Sequence, residues 1–114
     1  MPKPNELVLT PEEQNLYDFH KRNLDSGLFQ QNDDGSITTL KGAVVTTPEG
    51  AMLMPTYWHQ AERAIPDAYR LAIRSGIQFP RYKTVEEALA RETQLHNLME
   101  QDVTAFEQKR RKQP

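Results

Sequence analysis

The sequence contains no cysteine among its 114 residues. This absence excludes disulfide frameworks, thiolate zinc sites, iron–sulfur clusters and cysteine nucleophiles. No apolar run approaches the ~18 residues of a membrane-spanning helix, and the first residues lack the apolar stretch of a secretory signal. We therefore expect a protein that is made in the cytoplasm and has no contact with a membrane.

Glycines are also few, and the positive and negative charges nearly balance. The five glycines stand in separate turn-like or cap-like contexts, so the sequence has no phosphate-binding loop. The net charge of -2 is too balanced for a general nucleic-acid binder. Apolar residues make up 37% of the chain and the mean hydropathy is -0.77, which predicts a small core beside long solvated surfaces.

The length is that of one domain. Two prolines and no periodicity in the first residues predict a flexible lead-in over 1–9. The patterned part of the sequence predicts a single α+β domain over 10–108. The remaining residues, 109–114, form a basic C-terminal tail.

Capping signals in the sequence predict three helices. Thr10, Pro11 and Glu13 form a capping box with proline in the first turn, and a helix of about four turns should run from there to Gly27. A second helix of about ten residues is closed by Gly76. A third begins at Thr84, which repeats the capping-box pattern.

The third helix carries a long apolar stripe that predicts a length of about six turns. Its first half is needed to cover a sheet. Val103 and Phe106 extend beyond what a sheet of three short strands can cover, so we expect them to be exposed and available to another chain. Self-association through this C-terminal helix is one form that such a contact could take.

Between the first two helices the sequence changes to β-branched and apolar segments. The pair Asp34-Gly35 predicts a turn with strands on either side. Further strands are expected over 43–47 and 51–56, with Pro55 at a strand end because proline cannot donate to a ladder. The predicted fold is α+β: a short antiparallel β-meander packed against two or three helices, with a long C-terminal helix. Its predicted core contains Leu40, Val44, Leu53, Trp58, Leu71, Ile73, Phe79, Leu89 and Leu95.

The histidines allow one hypothesis of a metal site. Glu92 and His96 lie one turn apart on the third helix, and His59 or His20 could complete a ligand set. Tighter constellations, such as two histidines four residues apart with a glutamate, are missing. We therefore interpret Glu92 and His96 as ordinary side chains beside the apolar stripe, and we predict no metal and no cofactor.

Catalytic patterns are equally sparse. Ser26, Ser36 and Ser75 stand in turn-like contexts, and no nucleophile elbow is present. Asp33 and Asp34 are adjacent within a turn, which is a poor arrangement for a hydrolase carboxylate pair. The sequence therefore predicts a protein that is not an enzyme.

The segment Tyr57-Trp58-His59 is the most distinctive aromatic group. It could present a flat face to a partner, because tryptophan and tyrosine dominate interface hot spots. The interpretation that we favour is that Trp58 closes one end of the core, where the strand meets the second helix. The candidate partner-binding residues are Tyr57, Trp58, His59, Met99, Val103 and Phe106. A weak nucleic-acid contact by Lys109, Arg110, Arg111 and Lys112 stays open, although such a run usually forms a solvated helix end.

Several short motifs occur in an order that resembles a known domain. They are Asn23-Leu24, Asp34-Gly35-Ser36-Ile37-Thr38-Thr39, Leu53-Met54-Pro55-Thr56-Tyr57-Trp58, Tyr69 with Ser75-Gly76, Phe79-Pro80-Arg81-Tyr82, and Thr84-Val85-Glu86-Glu87-Ala88 followed by Leu95-His96. Together they resemble a small domain of tailed bacteriophages, which occurs alone or inside large virion proteins, sometimes beside peptidoglycan-degrading domains. The similarity extends from Asn23 to Met99 and brings no catalytic residues.

The resemblance implies a setting rather than a reaction. We expect a non-enzymatic phage structural or assembly protein that binds a larger virion protein, located in the virion or in the host cytoplasm. The alternative is a phage-encoded protein that binds or inhibits a host protein, because such proteins are also small and lack catalytic motifs.

Overall fold

A computed structural model describes residues 7–59 and 61–112 of the chain. In order, its elements are α1 (Pro11–Ser26), β1 (Gln30–Gln31), β2 (Ile37–Thr38), β3 (Gly42–Thr47), β4 (Gly50–Pro55), β5 (Tyr57–Trp58), β6 (Ala61–Glu62), α2 (Ile65–Ser75), β7 (Arg81–Tyr82) and α3 (Val85–Lys112). All strand pairs are antiparallel. The α+β class and the long C-terminal helix are confirmed.

Helix α1 begins and ends where its local signals predict. The Thr10 hydroxyl accepts a hydrogen bond from the Glu13 amide at 3.1 Å, and the Glu13 carboxylate accepts one from the Thr10 amide at 3.0 Å. This is the predicted capping box, which satisfies two donors that the helix itself cannot pair. At the other end Gly27 has φ 78°, and its amide donates to the Asn23 carbonyl.

The two later helices follow the same logic. Helix α2 contains Pro66 in its first turn and is closed by Gly76, at φ 73°. Helix α3 begins after Thr84, whose hydroxyl accepts a hydrogen bond from the Glu87 amide at 3.1 Å. With 28 residues, α3 is about 42 Å long and reaches well beyond the sheet.

The central sheet has the strand order β3–β4–β7. Strand β4 lies in the middle, and its residues from Ala51 to Pro55 are all buried. Pro55 is the last residue of this strand, at a position where its missing amide removes no hydrogen bond to β3. The register pairs Gly42 with Pro55 and Thr47 with Gly50, across a turn at Pro48 and Glu49.

Two small hairpins complete the β structure. Strands β1 and β2 pair around the predicted Asp34-Gly35 turn, where Gly35 has φ 88°. Strands β5 and β6 pair Tyr57 with Glu62 and Trp58 with Ala61. Neither hairpin joins the central sheet.

The buried apolar residues form two clusters. The main cluster lies between the sheet and the three helices and contains Leu16, Phe19, Met52, Leu53, Met54, Trp58, Ala68, Ala72, Phe79, Leu95 and Met99. The small cluster consists of Leu24, Ile37 and Val103, with Phe29 and Phe106 packed against it. Helices α1 and α3 contribute to both clusters.

The predicted core is confirmed for Leu53, Trp58, Phe79 and Leu95, all of which are buried. Leu40, Val44 and Leu71 are half-buried against the main cluster. The prediction is wrong for Ile73 and Leu89, which are 53% and 51% exposed. Ala72 and Ala88 take the neighbouring inward positions, so Ile73 and Leu89 lie on the outer faces of their helices.

The predicted flexible lead-in over 1–9 is too long, because its described residues, 7–9, contact the folded body. Leu7 and Leu9 pack against the main cluster, and the Val8 carbonyl accepts a hydrogen bond from Arg91 at 2.6 Å. At the other end, α3 continues through 109–112 of the predicted tail. Residues 1–6 and 113–114 lie outside the described residues. Among the helices described, none combines the length and apolar character needed to cross a membrane.

Candidate functional site

A surface cleft of about 390 Å³ opens beside the aromatic segment 57–59. Helix α1 and the residues after it form one wall, and the end of α2 forms another. The lining residues are Phe19, Arg22, Asn23, Leu28, Tyr57, Trp58, His59, Ser75 and Ile77. We call this the aromatic cleft. It contains three of the six predicted partner-binding residues.

The floor of the aromatic cleft is held rigidly by ring packing. Trp58 lies edge-on to Phe19 and to Phe79, with ring centroids 4.8 and 6.1 Å apart. Its indole Nε1 donates a hydrogen bond to the Pro55 carbonyl at 2.8 Å, so the one polar atom of this buried ring is satisfied. The interpretation of Trp58 as a core-closing residue is confirmed: the ring is 6% exposed.

His59 forms the exposed rim of the aromatic cleft. Its φ of 53° is the only positive value for a non-glycine residue among those described. Such a backbone conformation is unfavourable for most side chains and is maintained only when its surroundings fix it. Here the preceding carbonyl, that of Trp58, accepts a hydrogen bond from Arg63 Nε at 3.2 Å.

Leu28 is a rim residue that the sequence analysis did not identify. It follows the Gly27 cap, and its amide donates to the Asn23 carbonyl at 3.0 Å. A hydrophobic residue in this position normally packs back on its own helix, yet Leu28 is 42% exposed. The signal was present in the sequence as an apolar residue directly after a helix-closing glycine.

The second predicted surface, at the end of α3, is not exposed. Met99 and Val103 are buried, and Phe106 is half-buried with its ring 5.7 Å from that of Phe29. The expectation that Val103 and Phe106 lie beyond the core is wrong, because the end of α1 and the β1–β2 hairpin cover them. Tyr57, at 4% exposure, is likewise a core residue, although it lines the cleft.

A buried polar network links α1, α3 and the segment after β2. His20 is completely buried; its Nδ1 is hydrogen-bonded to the Thr39 hydroxyl and its Nε2 lies 3.2 Å from Asp102 Oδ2. Tyr17 donates to the same carboxylate oxygen. Burial lowers the pKa of His20, although the Asp102 carboxylate opposes this effect. Burial and the bond to Asp102 both raise the pKa of Tyr17.

The order hydroxyl, imidazole and carboxylate in this network resembles a nucleophile with its base and orienting acid. Thr39 is 4% exposed, however, and the cavity that it lines has a volume of only about 40 Å³, enough for a water molecule. The network therefore joins α1 to α3 and leaves no space for a substrate at the hydroxyl. Sequence reasoning missed it because Thr39 and Asp102 are far from His20 along the chain.

A second network surrounds Glu13, the capping residue of α1. Arg91 donates to both carboxylate oxygens, at 2.6 and 2.9 Å, and Tyr82 donates at 2.7 Å. Burial alone raises the pKa of a carboxyl group, but the hydrogen bonds from Arg91, Tyr82 and the Thr10 amide outweigh it and lower the pKa of Glu13 to about 2.

Glu92 and His96 line a different cleft, of about 540 Å³, between α3 and the start of β3. Lys41, Glu62 and Arg63 lie in the same cleft, and Lys41 Nζ is 3.2 Å from Glu62 Oε2. His20 is buried elsewhere and His59 lies at the aromatic cleft, so neither completes a ligand set there. In the part of the chain that the structure describes, no three acidic or histidine residues are grouped to hold a metal ion.

Comparison of the chain with family models, with curated proteins and with solved structures finds no match in any of the three. The resemblance to a tailed-phage domain stays a prediction. So does the nucleic-acid contact at the C-terminal end, because the side chains of Arg110, Arg111 and Lys112 lie outside what the structure describes.

Proposed function

We propose that this protein is a non-enzymatic component of a tailed-phage particle or of its assembly, and that it binds a larger virion protein at the aromatic cleft. The observation that carries the proposal is the construction of this cleft: a rigid aromatic floor with an exposed apolar residue, Leu28, and a conformationally fixed histidine, His59, at its rim. The phage setting is supported by the resemblance of the ordered motifs from Asn23 to Met99 to a tailed-phage domain.

The cleft has the properties of an interface hot spot. Its rings are already immobilised by packing, so binding costs little side-chain entropy there. A volume of about 390 Å³ is at the small end of ligand pockets and suits one or two side chains of a partner. Covering the exposed part of Leu28 would contribute about 1 kcal/mol, which is useful within a larger interface and insufficient alone.

The polar groups at the rim would orient a bound partner through hydrogen bonds. Arg22 and Asn23 lie on the α1 wall, and His59 lies opposite on the β5 side. Asn23 is already committed, since its side-chain amide donates to the Thr39 carbonyl at 2.8 Å. Arg22 is exposed and offers donors for a partner carboxylate or carbonyl.

The test compares two variants that place the same charge on exposed apolar residues. Leu28→Asp alters the rim of the aromatic cleft, whereas Ile73→Asp alters the outer face of α2. Tagged wild-type protein and both variants are captured from phage-producing cells, and purified particles are analysed for the protein by mass spectrometry. We expect Leu28→Asp to lose the virion protein, while Ile73→Asp retains it with an unchanged melting temperature.

Three outcomes contradict the proposal. Purified particles that lack the protein, together with normal phage yield in the Leu28→Asp variant, would remove the virion assignment. Equal capture by the two variants would remove the aromatic cleft as the binding site. Capture of a host protein in place of a virion protein would favour the alternative function, a phage-encoded binder of a host target.

A further inference from the structure

Strand β3 forms an open edge of the central sheet. It pairs only with β4, and within residues 7–59 and 61–112 no other strand lies along its outer side. The strand, Gly42–Thr47, is six residues long and contains no charged residue and no proline. Natural proteins usually protect such an edge with charges, proline or a bulge, because an unprotected edge pairs readily with another strand.

The register shows which backbone groups point outward. The Thr56 amide donates to the Lys41 carbonyl, which continues the β3–β4 ladder, and the Leu53 amide donates away from β3 to Pro80. In an antiparallel ladder the bonded positions alternate. Lys41, Ala43, Val45 and Thr47 therefore bond to β4, while Gly42, Val44 and Thr46 direct their amides and carbonyls outward.

Helix α3 adjoins the start of β3 at Glu92 and carries exposed apolar side chains on the same flank. Helical spacing puts Val85 and Leu89 on the same flank as Glu92. Glu92 Cγ lies 3.8 Å from the position that a Cβ would take on Gly42, so this flank adjoins the start of β3. The opposite flank carries Arg91, which is bound to Glu13 on α1. Val85 and Leu89 are 45% and 51% exposed.

We propose that the β3 edge pairs with the β3 edge of a second copy of this chain, antiparallel about a two-fold axis at Val45. Val44 of each copy then exchanges backbone hydrogen bonds with Thr46 of the other, and the two sheets become one continuous sheet. Such an isologous contact closes on itself and leaves no free β3 edge.

Charge complementarity favours a second copy in this antiparallel orientation, with a basic residue before β3 and an acidic residue after it. With Val45 on the axis, Lys41, just before β3 of one copy, lies near the turn after β3 of the other copy, which contains Glu49, and the same approach repeats on the second side of the axis. The strand between them is uncharged, so no like charges face each other in the antiparallel arrangement. In the single chain Lys41 is paired with Glu62 near the surface, an exposed ion pair that exchanges easily for a second carboxylate.

The absence of cysteine makes a cross-linking test direct. Val45→Cys places two thiols on the axis at a non-hydrogen-bonded pair, where Cα atoms are about 4.5 Å apart and within disulfide range. Ser26→Cys places a single thiol on the exposed end of α1 as the matched control. We expect mild oxidation to convert Val45→Cys to a disulfide-linked dimer, while Ser26→Cys stays mostly monomeric.

Sedimentation of the unmodified protein supplies the second measurement. We expect a concentration-dependent species of about twice the 13.2 kDa chain mass. Thr46→Pro removes an outward amide that has no role in the β3–β4 ladder and should weaken dimerisation at least about tenfold. Thr46→Ala keeps the amide and should dimerise like the wild type. Melting temperatures of both variants verify that each is folded.

The proposal is overturned if the protein stays monomeric at millimolar concentration and Val45→Cys oxidises no faster than Ser26→Cys. It is also overturned by a dimer that Thr46→Pro does not weaken, which would lie at another surface. A monomer whose capture of a virion protein depends on the Thr46 amide would assign the edge to a partner strand instead of a second copy.

Discussion

Glu13 has two roles at the scale of a single residue. It completes the cap of α1, and it is the buried acceptor for Arg91 and Tyr82. Removing its charge leaves the Arg91 guanidinium without its carboxylate in a partly buried position. We expect Glu13→Gln to lower the free energy of unfolding by about 3 kcal/mol in urea titrations. Glu12→Gln, on the exposed side of the same turn, should change it by less than about 0.5 kcal/mol.

The pKa of Glu13 also predicts a dependence of stability on pH. The folded pKa of about 2 lies below the ordinary value of 4.5, so the unfolded chain binds the proton first. The stability from this group is complete above pH 4.5 and is lost as the pH falls toward 2. Urea titrations across this range should show the loss in the wild type. If the free energy of unfolding of Glu13→Gln falls with decreasing pH as steeply as that of the wild type, the assignment to Glu13 is wrong.

His20 predicts a separate step at higher pH. Its folded pKa is lowered from 6.5 by burial, so protonation favours the unfolded chain once the pH falls below 6.5. We expect the melting temperature to decrease between pH 7.5 and 5.5, before Glu13 begins to titrate. His20→Asn retains a hydrogen-bonding side chain without a titrating ring. A decrease of equal size in His20→Asn would assign the step to another group.

At the scale of elements, Gly50 shows why one turn depends on glycine. Its φ is 128°, and a Cβ at this position would lie 2.4 Å from the Tyr82 carbonyl oxygen of β7. Gly50→Ala should therefore destabilise the protein by more than about 1 kcal/mol, through strain and through displacement of β7. Gly35→Ala is the matched control, because Gly35 also has positive φ but has open space around it. Equal losses in urea titrations would show that the contact with β7 contributes nothing.

The helices could be predicted from sequence far better than the contacts between them. The signals of Thr10, Gly27 and Gly76 act within a few residues, so each helix end is encoded locally. Leu89 and Val103 show the limit. Whether an apolar residue on α3 is covered depends on the β1–β2 hairpin and on the end of α1, which are distant in sequence. The same limit applies to the aromatic cleft: the segment 57–59 was recognisable, but Leu28 joins it only through the fold.

At the scale of the whole molecule, the end of α3 belongs to the folded body. Val103 is 4% exposed in the small cluster, beside Leu24 and Ile37. Val103→Asp would bury a charge without a partner, and we expect it to lower the free energy of unfolding by more than about 2 kcal/mol. Val8→Asp, at a residue 68% exposed, should change it by less than about 0.5 kcal/mol. An unchanged urea midpoint for Val103→Asp would mean that Val103 is not buried, and the end of α3 would again be a candidate partner-binding surface.

The two clusters differ greatly in size, and α3 is the element that passes through both. The small cluster buries three residues, against eleven in the main cluster, so it can open while the sheet and the first half of α3 stay intact. The long helix should therefore behave as two cooperative units under native conditions. Amide hydrogens beyond Val103 should exchange through a local opening, whereas those near Leu95 should exchange only when the whole molecule unfolds. A single rate-limiting opening along all of α3 would instead mean that the two clusters unfold together.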